Sequence, residues 1–482
     1  MKKKYLYNII FFLGLYSCSG FLNQEPDLQI SIDEQLSTKQ GVLEAYAGVY
    51  RNVEAILSGN FASYADALGG NITFTPFGTQ KNIIVPQNIE NVYNFNANEN
   101  ELDFEDYYED WYQIINQINL ILERSVDFSF LTEKELHQLK AELLTIRALA
   151  HYQVSLVFAQ NYNFTADASH LGVVYVTKTL IAGVDFPARE TMAATYILLQ
   201  KDLEDALLLH NNTQLLGGLE KSYFNSMAAQ ALYARIALQM NDWQKAQEFS
   251  NKVITTSGIS LLPKNTYISE WEKPVDAIRE TILEFAAPTT TDGSVSSSIA
   301  ASNFSYTDAN NYADYVASIA LLNLYEPQDI RANMFLEKPL NTNINGVLSP
   351  INYSFTKKFQ DDAGTLYLRL SEMYLIRAEA NARLNNNNLA LNDLNIIRER
   401  ANIAILNNTN NILENIFLER RKELAFEGHL LFDIARYQKD IERNSDCIAI
   451  VCNLKYPSNF YVLPIPFSSI SLNQNIQQNE GY

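Results

Sequence analysis

Residues 366–400 read LYLRLSEMYLIRAEANARLNNNNLALNDLNIIRER, and the reading of this stretch decides the fold. Leu370, Met373, Tyr374, Ile376 and Ala378 recur near helical spacing and make one apolar face. Asn385 to Asn388 is a turn signal, because asparagine tolerates left-handed geometry and bonds to its own backbone. A second amphipathic run follows, with Ala390, Leu391, Leu394 and Ile397 on its buried side. Small alanines facing across a tight turn let two antiparallel helices approach closely, which is the logic of a helical-repeat unit.

The layout recurs upstream. In Ala231–Val253, ALYARIALQMNDWQKAQEFSNKV, the residues Ala234, Met240, Ala246 and Val253 keep the spacing of Ala378, Leu384, Ala390 and Ile397. Read as two ordinary hairpins or as degenerate tetratricopeptide-like repeats, both segments predict helix on helix and a mostly α fold. Further helices are expected at 37–57, 110–124, 132–159, 191–209, 221–240, 242–256 and 414–437. The third opens on Thr132 and Glu135, the spacing of a capping box. The scaffold therefore covers about 37–57, 110–257 and 365–440. Between these parts, 58–109 and 261–364 are rich in Gly, Asn, Pro and aromatic residues and read as two loop-rich insertions. Loops held by a rigid frame are where binding residues concentrate. Residues 459–482, with Pro464 and Pro466, predict a C-terminal segment that wraps the surface.

A hydrophobic content of 47% over 482 residues excludes global disorder, and a net charge of −19 argues against nucleic acid as a partner. Lys2, Lys3 and Lys4 precede an apolar segment, Tyr5–Leu15, too short to span a bilayer. Leu15-Tyr16-Ser17-Cys18 then resembles a bacterial lipoprotein signal. On that reading 1–17 is a signal peptide, Cys18 is the lipidation site, 18–482 is a single domain and 18–27 is its tether. Acyl chains at about 0.8 kcal/mol per buried methylene would moor the chain without a membrane-spanning helix. An ordinary signal peptide with a bystander cysteine is the other reading. Cys447 and Cys452 remain, and in an oxidising compartment they form either a small-loop disulfide or two free buried thiols.

Glu423 and Glu427 lie at i, i+4 on one helical face, as a catalytic carboxylate pair could. The interleaved Glu419, Arg420, Arg421, Asp433 and Arg436 argue instead for a charge network locking helix to helix. The five histidines show no metal-ligand spacing, and neither a Gly-x-Ser-x-Gly elbow nor a phosphate-cradling glycine loop is present. The expectation is a binding protein and not an enzyme, with no cofactor and no metal.

Sugar rings present apolar C–H faces that stack on aromatic side chains, while their hydroxyls pair with amides and carboxylates. Tyr64, Asp66, Phe74, Phe77 and Tyr93 in the first insertion supply such groups. In the second, Tyr267, Trp271, Phe304, Tyr306, Asn310 and Tyr312 could face them. Tyr306 and Tyr312, set among Asn and Asp, are the strongest candidates; the competing role for each aromatic is to pack its loop onto the scaffold.

Along its length the chain resembles the SusD/RagB family, surface lipoproteins of Bacteroidetes that partner TonB-dependent outer-membrane transporters. The resemblance rests on Cys18-Ser-Gly-Phe-Leu-Asn-Gln-Glu-Pro-Asp27, on Trp111-Tyr-Gln-Ile-Ile-Asn-Gln-Ile-Asn119 and on Leu324-Tyr-Glu-Pro-Gln-Asp-Ile-Arg331. Arg369–Arg400 is similar to the family's core hairpin. Glu419-Arg-Arg-Lys-Glu-Leu-Ala-Phe-Glu-Gly-His429 and Leu463-Pro-Ile-Pro466 are similar to its closing segments. The resemblance implies a tetratricopeptide-containing α fold and a lipid-anchored place at the outer membrane, facing outward. It also implies an oligosaccharide ligand passed to a SusC-like TonB-dependent transporter. A peptide ligand in the same role, and a periplasmic helical-repeat scaffold, are the alternatives.

Overall fold

The computed structural model describes residues 31–59, 61–272, 280–287, 303–359, 364–443 and 446–482. The signal peptide 1–17, Cys18 and the tether 18–27 lie outside the described residues, as do short parts of the second insertion. Nine helices that build the frame or position the site are α1 (Lys39–Ser58), α2 (Phe61–Gly69), α3 (Glu105–Arg124), α4 (Glu133–Phe158), α5 (Met192–Leu209), α6 (Ser226–Gln239), α7 (Trp243–Thr256), α8 (Leu370–Arg383) and α9 (Asn387–Arg400). Two more, α10 (Ile412–Glu423) and α11 (Leu430–Arg436), complete it. From α3 to α10 these helices pack in sequence, α7 directly on α8, so the frame is continuous across the insertion that separates them, and α11 packs back on α2.

The two hairpins are copies in register. All four helices α6, α7, α8 and α9 have 14 residues, and each bound of the first pair falls 144 residues before its counterpart (226 and 370, 239 and 383, 243 and 387, 256 and 400). Met240 and Leu384 end the first helix of each pair, and Asn241 (φ 61°) and Asn385 (φ 63°) turn the chain in the left-handed region. Asparagine there costs less than most residues, which is why the turn is legible. Ala234, Ala246, Ala378 and Ala390 are fully buried at the close approaches.

Side-chain caps set several helix starts. The Thr132 hydroxyl accepts from the Glu135 backbone N–H while the Glu135 carboxylate accepts from the Thr132 N–H, and Thr191 caps α5 at Ala194. Two expectations need correction. The single helix expected over 414–437 is broken, because Phe426 (φ 68°) and Gly428 (φ 76°) turn the chain between α10 and α11. The first insertion is also less irregular than its composition suggests: α2 lies within it, with Ala65, Ala67 and Leu68 in the core.

The second insertion carries the longest strands, β4 (Phe335–Ile344) and β5 (Val347–Thr356), a ten-residue-per-arm hairpin. Its turn is Asn345-Gly346, both at positive φ, the two-residue turn whose twist suits a hairpin. Shorter ladders tie the parts together: β1 (Ile72–Phe74) of the first insertion pairs with β3 (Tyr315–Ala317) of the second, and β2 (Thr281–Phe285) of the second pairs with β6 (Thr365–Arg369) of the frame. The C-terminal segment does pack along the frame. Leu463 N–H donates to the Val157 carbonyl at 2.8 Å, and the Asn479 amide donates to the carbonyls of Phe158 and Leu463. Cys447 and Cys452 are joined by a disulfide, and the short loop they close holds Ile450 almost wholly in solvent. Among the described residues no helix is long and apolar enough to cross a membrane.

Candidate functional site

Tyr306–Asp308 and Asn311–Tyr312 form a small antiparallel ladder in which Tyr306 stands opposite Tyr312. The turn between them is fixed by Asp308, whose carboxylate accepts from the N–H groups of Asn310 (2.7 Å) and Asn311 (3.1 Å). Both tyrosines are half-buried and Asn310 is exposed. They rest on the β4–β5 hairpin, whose Leu336, Leu340, Tyr353 and Phe355 pack with Val316 beneath them. The Tyr306 ring lies 4.9 Å from that of Phe355. Strand alternation explains the seat: Leu336, Lys338, Leu340 and Thr342 lie on one face of β4, opposite Phe355, Tyr353, Ile351 and Ser349 of β5.

Two lysines frame the pair. Lys338 Nζ lies over the Tyr306 ring at 5.5 Å from its centre, and Lys81 Nζ over the Tyr312 ring at 5.3 Å. Lys81 also donates to the Tyr312 hydroxyl at 3.1 Å, and that hydroxyl donates to the Pro76 carbonyl at 2.8 Å. Phe77, next in the chain, is 58% exposed, which makes it an accessible apolar surface beside the tyrosines. The Lys81 carbonyl accepts from Asn343 N–H, so the first insertion is bonded to the hairpin of the second. Lys81 and Lys338 were not among the expected site residues; the Asn-Gly turn was the signal that could have placed Lys338 on a strand facing the aromatics.

The other candidates are not surface groups. Tyr64 packs on Phe104 and Phe432, and Asp66 is buried, accepting from the Asn71 amide and the Gly428 N–H. Burial pushes the Asp66 carboxyl up in pKa, with those two donors pulling the other way. Phe74 meets Tyr93 edge-on at 4.8 Å, and Arg443 covers the Tyr93 ring at 4.1 Å. Phe304 packs on Phe426 and Phe359. Tyr267 and Trp271 roof a buried ion network, Arg400 over the first ring and Lys358 and Arg369 over the second. Each of these seven fills a core or covers a charge, so the expectation that they meet a ligand is corrected; Phe77, Tyr306, Asn310 and Tyr312 are the accessible remainder.

That network also answers the carboxylate pair. Glu423 accepts from Arg369 (2.7 Å), Arg400 (2.5 Å) and Arg331 (3.0 Å), while Glu427 accepts from Arg369 and Lys358. Burial opposes ionisation of Glu427, but Arg369 and Lys358 outweigh it and bring the carboxyl to about 2. A carboxylate saturated by cations and closed to solvent neither donates nor takes a proton near neutral pH, so both residues are structural. Among the described residues no group of histidine, cysteine and acidic side chains is arranged to hold a metal. An open groove of about 700 Å³ runs between α3, residues 174–187 and the C-terminal segment, and none of the candidates lines it.

Comparison with known proteins follows the same outline. Residues 351–482 match the model of the SusD family, and residues 20–238 match a model described as "Starch-binding associating with outer membrane". A SusD-like protein of Formosa agariphila is 23% identical, covering 98% of this chain and 99% of that one. Among solved structures, a candidate sugar-binding protein of Bacteroides vulgatus superposes with a TM-score of 0.78 at 25% identity, over 92% of this chain and 98% of its own. A SusD superfamily protein of Bacteroides thetaiotaomicron gives 0.77 at 24% identity, over 92% and 99%.

Proposed function

The chain belongs to the SusD family, and on that premise we propose that it is a glycan-binding lipoprotein of the outer membrane that presents its ligand to a SusC-like TonB-dependent transporter. The observation that carries the reading is the Tyr306–Tyr312 strip: two accessible rings held at fixed spacing, with Phe77 and the Asn310 amide beside them. Rings of this kind accept the C–H faces of sugars, and exposed amides take their hydroxyls. Lipidation at Cys18 is supported by the resemblance of the N-terminal segment to a lipoprotein signal, and outward display by the family to which the chain belongs. The saturated state of Glu423 and Glu427 supports binding without chemistry.

Calorimetric titration of a panel of oligosaccharides and peptides, with product analysis after prolonged incubation, tests the reading. Heat of binding from oligosaccharides with no new products is the expected result. Preference for peptides redirects the same role to another cargo, and cleavage of the bound glycan overturns it. Protease treatment of intact cells tests display, since a periplasmic protein would be protected.

A further inference from the structure

The cations at the aromatic strip differ from the ion-paired arginines of the interior. Arg147, Arg235, Arg331, Arg369 and Arg436 each hold a carboxylate at 3.0 Å or less in the interior. Lys81 and Lys338, by contrast, form no ion pair with any described carboxylate. They are half-exposed, come from different insertions, and converge on the two rings that face solvent. Of the acids close by in the chain, Asp308 spends one carboxylate oxygen on the turn at Asn310 and Asn311, and Glu337 accepts from the Asn352 amide. Asp314 is partly buried, which raises its carboxyl pKa.

We infer that the Tyr306–Tyr312 site takes an anionic glycan, one whose sugars carry carboxylate or sulfate groups that Lys81 and Lys338 neutralise while the rings stack on the tyrosines. This rests on the glycan-binding reading above and names the class of sugar within it. A neutral glycan offers these two ammonium groups only hydroxyl acceptors. An anionic one gains a charge-assisted hydrogen bond from each. The net charge of −19 does not forbid this, because at physiological salt a charge more than about 8 Å away is largely screened, and the two nearby lysines dominate the local field.

The test uses the full-length lipoprotein in detergent, titrated with oligogalacturonides, with sulfated galactan oligosaccharides and with maltooligosaccharides of equal length. The expected result is binding of one or both charged series at least about tenfold tighter than the neutral one, weakening as salt is raised. Lys81→Gln and Lys338→Gln should each cost about fivefold to tenfold for the charged sugar, with Lys338→Arg retaining most of the affinity and all three melting like the parent. The two charged series separate carboxylate from sulfate as the anion. Equal affinity for neutral sugar, or unchanged affinity in both glutamine variants, overturns the inference and leaves glycan binding intact. Absence of binding by every sugar overturns both.

Discussion

Arg369 donates to Glu423 at 2.7 Å across 54 residues of sequence, joining the strand that enters α8 to the end of α10. Arg400, from α9, meets the same carboxylate. One acid thus ties three elements of the second hairpin's surroundings together. Replacing it takes one carboxylate from three buried guanidinium groups, which are left to share Asp329, Glu419, Glu280 and Glu427. Glu423→Ala is expected to lower unfolding free energy by about 3–5 kcal/mol, read from urea denaturation at neutral pH. A change below about 1 kcal/mol would show the network to be dispensable.

Acid should weaken the fold through Glu427. Its folded pKa of about 2 lies below the ordinary carboxylate value, so its contribution is complete above about 4.5 and is lost as pH falls towards 2. Glu427→Gln should flatten that limb of the stability curve. Denaturation midpoints taken from pH 2.5 to 6 give the slope.

The opposite sign is expected from Glu142. Burial raises its carboxyl to about 7, although Tyr46, Tyr50 and Gln138 donate to it. A raised carboxyl stabilises when protonated, so stability falls as pH rises from about 4.5 through 7. Glu142→Gln should remove that fall and be more stable than the parent at pH 8 by roughly 1–3 kcal/mol, with little difference at pH 5. Equal stabilities at pH 8 would refute the assignment.

Among the aromatics, the accessible and the buried should separate cleanly. Tyr306→Ala and Tyr312→Ala are expected to weaken glycan binding about fivefold to tenfold each with small effects on melting. Trp271→Ala should instead cost about 3–5 kcal/mol of stability, since it empties a packed site above Lys358 and Arg369. Calorimetry and thermal melts on the three variants distinguish the roles.

The Cys447–Cys452 ring should contribute locally. Replacing both cysteines with serine is expected to cost about 2 kcal/mol by the chain-entropy argument for so short a loop. Arg443 would retain its bonds to the carbonyls of Tyr93 and Val451, so glycan affinity should not change.

The helical frame could be read in advance because its determinants are local. Thr132 with Glu135, Thr191, and the asparagines at 241 and 385 each announce a boundary within four residues of themselves. The break at Gly428 is equally local but masked, because the flanking charges keep helical spacing. The site was legible only in part. Tyr306 and Tyr312 stand out among polar neighbours, but nothing near Tyr93, Tyr267 or Phe304 in the sequence tells that Arg443, Arg400 and Phe426 cover them. An aromatic side chain has the same signature inside a loop's own core as on its outer surface.

Thr256 and Leu370 end and begin adjacent helices of one frame, although the whole second insertion lies between them. The two halves of the frame therefore meet directly, and the intervening chain adds to that contact through Trp271, Glu280 and Arg331, which enter the buried ion network. Lengthening or rewriting that chain costs little closure entropy, since the penalty grows only with the logarithm of its length. Such a design leaves the outer reach of that chain, the β4–β5 hairpin above all, open to change while the helices behind it keep their packing.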